Sequence, residues 1–434
     1  MKKIMQSVRP VFFLALYFIS VALFGQNDIQ YYRPYDQRGV HVFETPKQPR
    51  SDETGFKVRV GGHFAQQFQA LQHESDQDTL LTALKPGFNL ATANLNIDAQ
   101  LQDGISVSLV TYLSARHHPE AWVKGGYLQI DKALFLKSEF VDKIMENLTF
   151  KFGHFEINYG DAHFRRTDNG NAMWNPFVGN YILDAFTTEI GGEVIYQCDK
   201  GLLAVFSMTG GEIKGDVSEP VVTTQDDKAK RSPSIIGKFG YDKQLTEDLR
   251  LRATASAYYT ASSTSNTLYG GDRTGSRYYL VLEPQTASAQ TNFTSGRYNP
   301  GFRDKVTAVM GNVFLKYKGA ELFGTYEMAS GRANNETDTR KVSQLAGELL
   351  YRFGKNEQFF AGARYCRVNA EHLASGNVSD INIDRIQGSV GAFVTKNILA
   401  KVEYVTQNYN DFPAADLRSN GKFNGVMVEG VIGF

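Results

Sequence analysis

Residues 422–434, Lys422-Phe-Asn-Gly-Val-Met-Val-Glu-Gly-Val-Ile-Gly-Phe434, decide how the rest of this chain is read. Counting back from the end, Phe434, Ile432, Gly430, Val428 and Val426 fall on one side of an extended backbone, and Gly433, Val431, Glu429, Met427 and Gly425 on the other. A period of two marks a strand, where a helix would repeat every ~3.6 residues. The alternation recurs in 249–261, where Leu249, Leu251, Ala253, Ala255, Ala257 and Tyr259 oppose Arg250, Arg252, Thr254, Ser256 and Tyr258. One face is apolar, and the opposite one needs water or polar partners.

Working outward, the same pattern places strands at 56–70, 88–102, 105–114, 122–130, 148–156, 188–197, 202–210, 234–241, 249–261, 305–317, 321–329, 341–353, 358–369, 384–394, 398–409 and 422–434. This predicts an all-β, antiparallel transmembrane β-barrel of about 16 strands. Short connections at 103–104, 199–200, 318–320, 354–357 and 395–397 interleave with long ones at 71–87, 157–187, 211–233, 262–304, 370–383 and 410–421. Short periplasmic turns opposite long outer loops are the order an outer-membrane barrel keeps, and a soluble sandwich has no reason to keep it. Two connections depart from it: 131–147 is long on the short side, with a short helix expected within 134–146, and 115–121 is brief on the long side.

Gly (40), Tyr (22) and Phe (30) are abundant while Pro (12) and Cys (2) are sparse, which suits aromatic-edged strands. Residues 1–25 read as a secretory signal peptide, with Lys2, Lys3 and Arg9 before the apolar stretch 11–24 and Gly25 suited to cleavage. No Cys follows the apolar stretch, which argues against a lipoprotein, and no later run of about 18 apolar residues provides a spanning helix. Removing Lys2, Lys3 and Arg9 leaves 43 of the 46 basic side chains against 46 acidic ones, so nucleic acid has no electrostatic footprint here. Cys198 and Cys366 make no disulfide framework, and one bridge between them stays open. Residues 26–55, with Pro34, Pro46 and Pro49 and no period, are expected as an extended periplasmic N-terminal segment or a plug, and 56–434 as the barrel. A strand ending in Phe434 resembles the signal read by the outer-membrane barrel-assembly machinery, which with outer-membrane lipid makes the expected partners.

A ring of this size encloses space for water, so selectivity falls to constriction and wall charge. Strand parity turns Lys57, Arg59, Lys151, Lys238, Arg250, Arg252, Lys316, Arg352, Arg364, Arg385 and Lys401 inward, with Asp98, Glu189, Glu193, Glu321, Glu327, Glu348, Glu403 and Glu429. Eleven against eight is a weak positive bias, and pairing across strands is the bland reading. The long connection 157–187 carries Phe164, Met173, Trp174, Phe177, Tyr181 and Ile182, too apolar for free solution. It is expected to fold into the lumen as a constriction loop, with His163, Arg165, Arg166 and Asp168 at the narrowing; a contact with a neighbouring subunit is the alternative.

Gly153-His-Phe-Glu-Ile-Asn-Tyr-Gly-Asp161, followed by His163-Phe-Arg-Arg-Thr-Asp-Asn-Gly170, resembles the phosphate-selective porin O and P-like family. The resemblance implies a sixteen-stranded homotrimeric barrel passing small hydrophilic, often anionic, solutes. That family's arginine row and lysine cluster do not map onto this chain residue by residue; only Arg165 and Arg166, on the expected constriction loop, sit where such a role fits. The alternative is a barrel acting as a substrate-specific transporter or as an anchor in a secretion or adhesion assembly. An enzyme is not expected: no Gly-x-Ser-x-Gly elbow occurs, and His117 with His118 lacks a third metal ligand at suitable spacing. Asp161, Asp168, Asn169 and Asp184 do not space as a calcium loop, so no metal or cofactor is assigned.

Overall fold

The computed structural model describes residues 29–47, 55–114, 116, 119–219, 230–272 and 277–434. Residues 1–25, read above as a signal peptide, and the His117–118 pair lie outside these residues. The strands are β1 (Lys57–Glu74), β2 (Gly87–Phe88), β3 (Thr92–Gln102), β4 (Ile105–Leu113), β5 (Trp122–Ile130), β6 (Leu148–Glu156), β7 (Thr188–Gln197), β8 (Leu202–Thr209) and β9 (Ser234–Gln244). They continue as β10 (Leu249–Thr260), β11 (Lys305–Tyr317), β12 (Ala320–Arg332), β13 (Arg340–Phe353), β14 (Phe359–Ala374), β15 (Asn377–Thr395), β16 (Ile398–Asn410) and β17 (Lys422–Gly433). Each long strand pairs antiparallel with its neighbours, and β1 pairs with β17 in register from His63↔Gly433 to Glu74↔Lys422, closing the ring. With the two-residue β2 set aside, the described residues form a closed 16-strand barrel.

The stretch that opened the sequence reading shows why the ring closes this way round. On β17, Met427, Glu429 and Val431 are fully buried, while Val426, Val428 and Ile432 are 39%, 42% and 46% exposed. Around the barrel the outward face carries exposed Val, Leu, Ile, Phe and Tyr, among them Leu345, Leu349, Tyr351, Ile386, Val390 and Tyr404. A band of this kind has no partner in water and fits hydrocarbon; closure leaves no edge strand for lipid to face.

The connection expected as a long loop at 370–383 is corrected. β14 and β15 run on as one hairpin to Ala374↔Asn377, turning at Ser375 and Gly376. Both turn residues have positive φ, 49° and 83°, the geometry of a tight hairpin turn that Gly adopts without strain. In the 131–147 connection, Ser138 caps the helix α1 (Glu139–Met145), its hydroxyl accepting from the Val141 N–H at 3.4 Å. Cys198 and Cys366 are both free thiols.

Candidate functional site

The inward parity positions occupy the buried face. Arg59, Lys238, Arg252, Arg352, Arg364, Arg385 and Lys401 are almost wholly buried, as are Asp98, Glu189, Glu193, Glu321, Glu327, Glu348, Glu403 and Glu429. Lys57, Lys151, Arg250 and Lys316 are partly exposed. A charge so placed needs a partner, because desolvation costs several kcal/mol per ion. Some partners are on adjacent strands: Arg59 pairs with Asp98 at 2.8 Å, Lys151 with Glu193 at 3.2 Å, Arg250 with Asp242 at 2.7 Å, Arg352 with Glu321 at 2.5 Å and Lys401 with Glu429 at 2.7 Å. Lys316 reaches Glu357 at 2.6 Å.

Other wall cations serve the connection 157–187. Lys401 donates to the carbonyls of Ala172, Asn175 and Phe177 at 2.8–2.9 Å. Arg364 donates to Gly179 O at 2.8 Å and pairs with Glu348 at 2.8 Å, while Arg385 donates to Asn180 O at 2.5 Å. Gln344 accepts from Leu183 N and donates to Leu183 O, both at 2.8 Å. Buried irregular backbone must find such partners, and here wall side chains stand in for water.

The expected constriction residues are paired as well. Arg165 lies 3.3 Å from Glu348 and 3.4 Å from Glu321, and Arg166 lies 2.6 Å from both Asp184 and Asp272. Burial disfavours the Arg166 cation, yet Asp184 and Asp272 outweigh it and raise its pKa. His163 Nδ1 is 2.5 Å from Glu156, and Asp168 pairs with Lys124. Asp161 and Asp184 are thus held by Lys238, Arg252 and Arg166 rather than gathered around an ion site. Burial would raise the Asp161 carboxyl, but Lys238 and Arg252 hold it below its ordinary range.

Two further segments enter the ring, the first along the plug alternative given for 26–55 and the second unforeseen in the sequence. Residues 29–47 pack against the buried wall: Tyr35 Oη donates to Asp98 at 2.8 Å, Glu44 pairs with Lys238 at 3.0 Å and Arg252 at 2.8 Å, and Lys47 donates to Asp131 O at 2.7 Å. Gln37 N donates to Lys396 O in a short turn, so the segment also spans the short-turn end. The second segment is the long connection after β10. From it Tyr278 donates to Glu403 at 2.6 Å, Tyr269 donates to Glu327 at 2.8 Å, and Arg277 pairs with Glu429 at 3.0 Å. Their signal was an aromatic content too high for solvated loops.

The interior is therefore not evenly wet. Ile157, Val178, Ile182, Leu268, Tyr298 and Phe302 join Val306, Phe314, Phe323, Val368 and Ile383 of β11–β15 in one apolar cluster. Open space lies on the other side, in a cavity of about 260 Å³ bounded by β3–β7 and lined by Arg33, Tyr35, Lys124, Tyr127, Phe164 and Trp174, among others. A recess of about 1010 Å³ at the short turns, lined by Asp103, Asp131, Asp199 and Arg250, shares Tyr31, Glu44 and Gln197 with it. His41, Glu321 and Glu357 approach one another as metal ligands would, but their carboxylates already serve Arg352 and Lys316.

A closed antiparallel ring with an apolar exterior and charged interior defines a bacterial outer-membrane β-barrel. No protein-family model matches the chain, and no curated protein matches it in sequence. Solved structures do share its fold. The anion-selective porin from Comamonas acidovorans is similar with a TM-score of 0.55 at 10% identity, over 87% of this chain and 100% of the porin. The outer-membrane channel DcaP of Acinetobacter baumannii is similar with a TM-score of 0.50 at 12% identity, over 88% and 98%.

Proposed function

We propose that this chain is a non-catalytic channel of the outer membrane, passing small hydrophilic solutes through a lumen narrowed by residues 157–187. The observation that carries this reading is the pair of polar-lined spaces inside the ring, the short-turn recess and the β3–β7 cavity, which border each other at Tyr31, Glu44 and Gln197. Both lie within a ring whose outside suits only lipid. Anionic solutes are the class we favour, on the 153–170 likeness to phosphate-selective porins and the shared fold with an anion-selective porin. Homotrimeric assembly is inferred from the same likeness.

The apolar filling beside β11–β15 favours a selective channel over a general one, since little cross-section is left. Purified protein in planar bilayers is expected to give discrete, small conductance steps with a reversal potential on the anion side in a salt gradient. Persistent absence of steps would overturn the channel reading, and a cation-side potential would overturn only the anionic preference.

A further inference from the structure

The cavity beside β3–β7 carries an imbalance that its charges do not resolve among themselves. Arg59, Lys124, Lys151 and Arg166 line it, and each faces a carboxylate: Asp98, Asp168, Glu193 and Asp184 respectively. Of the carboxylates on its wall, Glu44 is committed to Lys238 and Arg252, and Glu156 lies 2.5 Å from His163 Nδ1. Arg33 is the exception. Its Nε donates to Gly39 O at 2.8 Å and its Nη1 to Phe164 O at 3.0 Å, and it forms no ion pair with any described residue. Its guanidinium carbon sits 3.7 Å from the centre of the Trp174 ring. Burial lowers its pKa to about 9, and the negative charge of Glu156 offsets only part of that fall.

The rest of the wall says what kind of anion would settle there. Tyr32, Tyr35, Tyr127, Phe155, Phe164 and Trp174 surround the space, giving it flat apolar surfaces. Inorganic phosphate would meet only one uncommitted cation and would lose its hydration against these rings. A planar organic acid gains on both counts, with a carboxylate on a planar guanidinium and a ring among rings.

We propose that this cavity binds a small aromatic carboxylate, with Arg33 holding the carboxylate and the Trp174 side of the wall receiving the ring. The proposal rests on the channel reading only for the ligand's route, so its test is one of binding rather than conductance.

The chain has two tryptophans, and Trp122→Phe leaves Trp174 as the reporter in the detergent-solubilised full-length protein. Titration with sodium benzoate should quench Trp174 saturably, and Arg33→Gln should weaken this about tenfold or more, with Arg33→Lys between. Folding of each variant is checked by heat-modifiable gel mobility. An unchanged benzoate affinity in folded Arg33→Gln overturns the proposal. So does equal saturation by benzyl alcohol, which lacks the charge, or by inorganic phosphate, which lacks the ring. These last two comparisons use the Trp122→Phe protein alone, so they decide the matter even where Arg33→Gln fails to fold. Benzoate binding without bilayer conductance would uphold this site while overturning the channel.

Discussion

At the scale of single residues, the interior is governed by the cost of burying charge. Glu44 illustrates it: both Lys238 and Arg252 depend on it, and Asn158 Nδ2 donates to it at 3.0 Å. Glu44→Gln leaves two buried cations sharing fewer anions, and breaking such a pair costs about 3–5 kcal/mol. The expected outcome is detachment of residues 40–47 without loss of the barrel, seen as faster amide hydrogen exchange confined to that stretch. His41 adds a pH dependence. Burial lowers its pKa from 6.5 to about 4, against the pull of Glu321, so the docked segment holds it neutral. The undocked form takes up a proton first as pH falls. Docking is therefore full above pH 6.5 and weakens as pH drops from 6.5 toward about 4. In the Trp122→Phe protein, Trp174 emission should shift to the red between pH 7 and pH 5, and His41→Asn should abolish that shift.

At the scale of elements, three segments share the work of filling the ring, and two of them, 157–187 and 29–47, lend themselves to separate removal. Deleting 161–183 takes away the backbone that Lys401, Arg364 and Arg385 solvate and the apolar side chains packed on β11–β15. Single-channel conductance should rise about twofold or more, and an unchanged value would take this segment out of the solute path. Deleting 29–47 should enlarge the opening at the short-turn end and raise conductance too. It should also abolish the pH-dependent shift of Trp174, because Arg33 and His41 leave together. The strands were legible in the sequence in number and order, since each alternates in and out against a fixed lipid boundary, while several ends, such as those of β1, β14 and β15, run further than their alternation showed. The 370–383 connection was not: its polar stretch reads as a loop, and only pairing across Ser375 and Gly376 makes it a hairpin.

At the scale of the whole molecule, the outward apolar band predicts that the protein stays with the membrane fraction after osmotic shock and enters solution only in detergent. Light scattering of the detergent complex should give a protein mass of three chains. A mass of one chain would end the trimer reading and leave the channel reading intact. Heat-modifiable mobility should persist in all the segment deletions above, because the ring closes through β1–β17 pairing that none of them touches.

The amino-acid sequence alone determined the ring: a two-residue period is a local property, and sixteen repeats of it with ordered short and long connections leave few other folds. It also determined which charged residues turn inward, for parity follows from the same period. What those charges do inside was decided only by tertiary structure, because their partners come from far along the chain: Glu44 and Lys238 are 194 residues apart, and Lys401 and Ala172 are 229 apart. Polar wall positions mean water or a protein partner equally well, and only the three-dimensional packing shows that most were given to a protein partner.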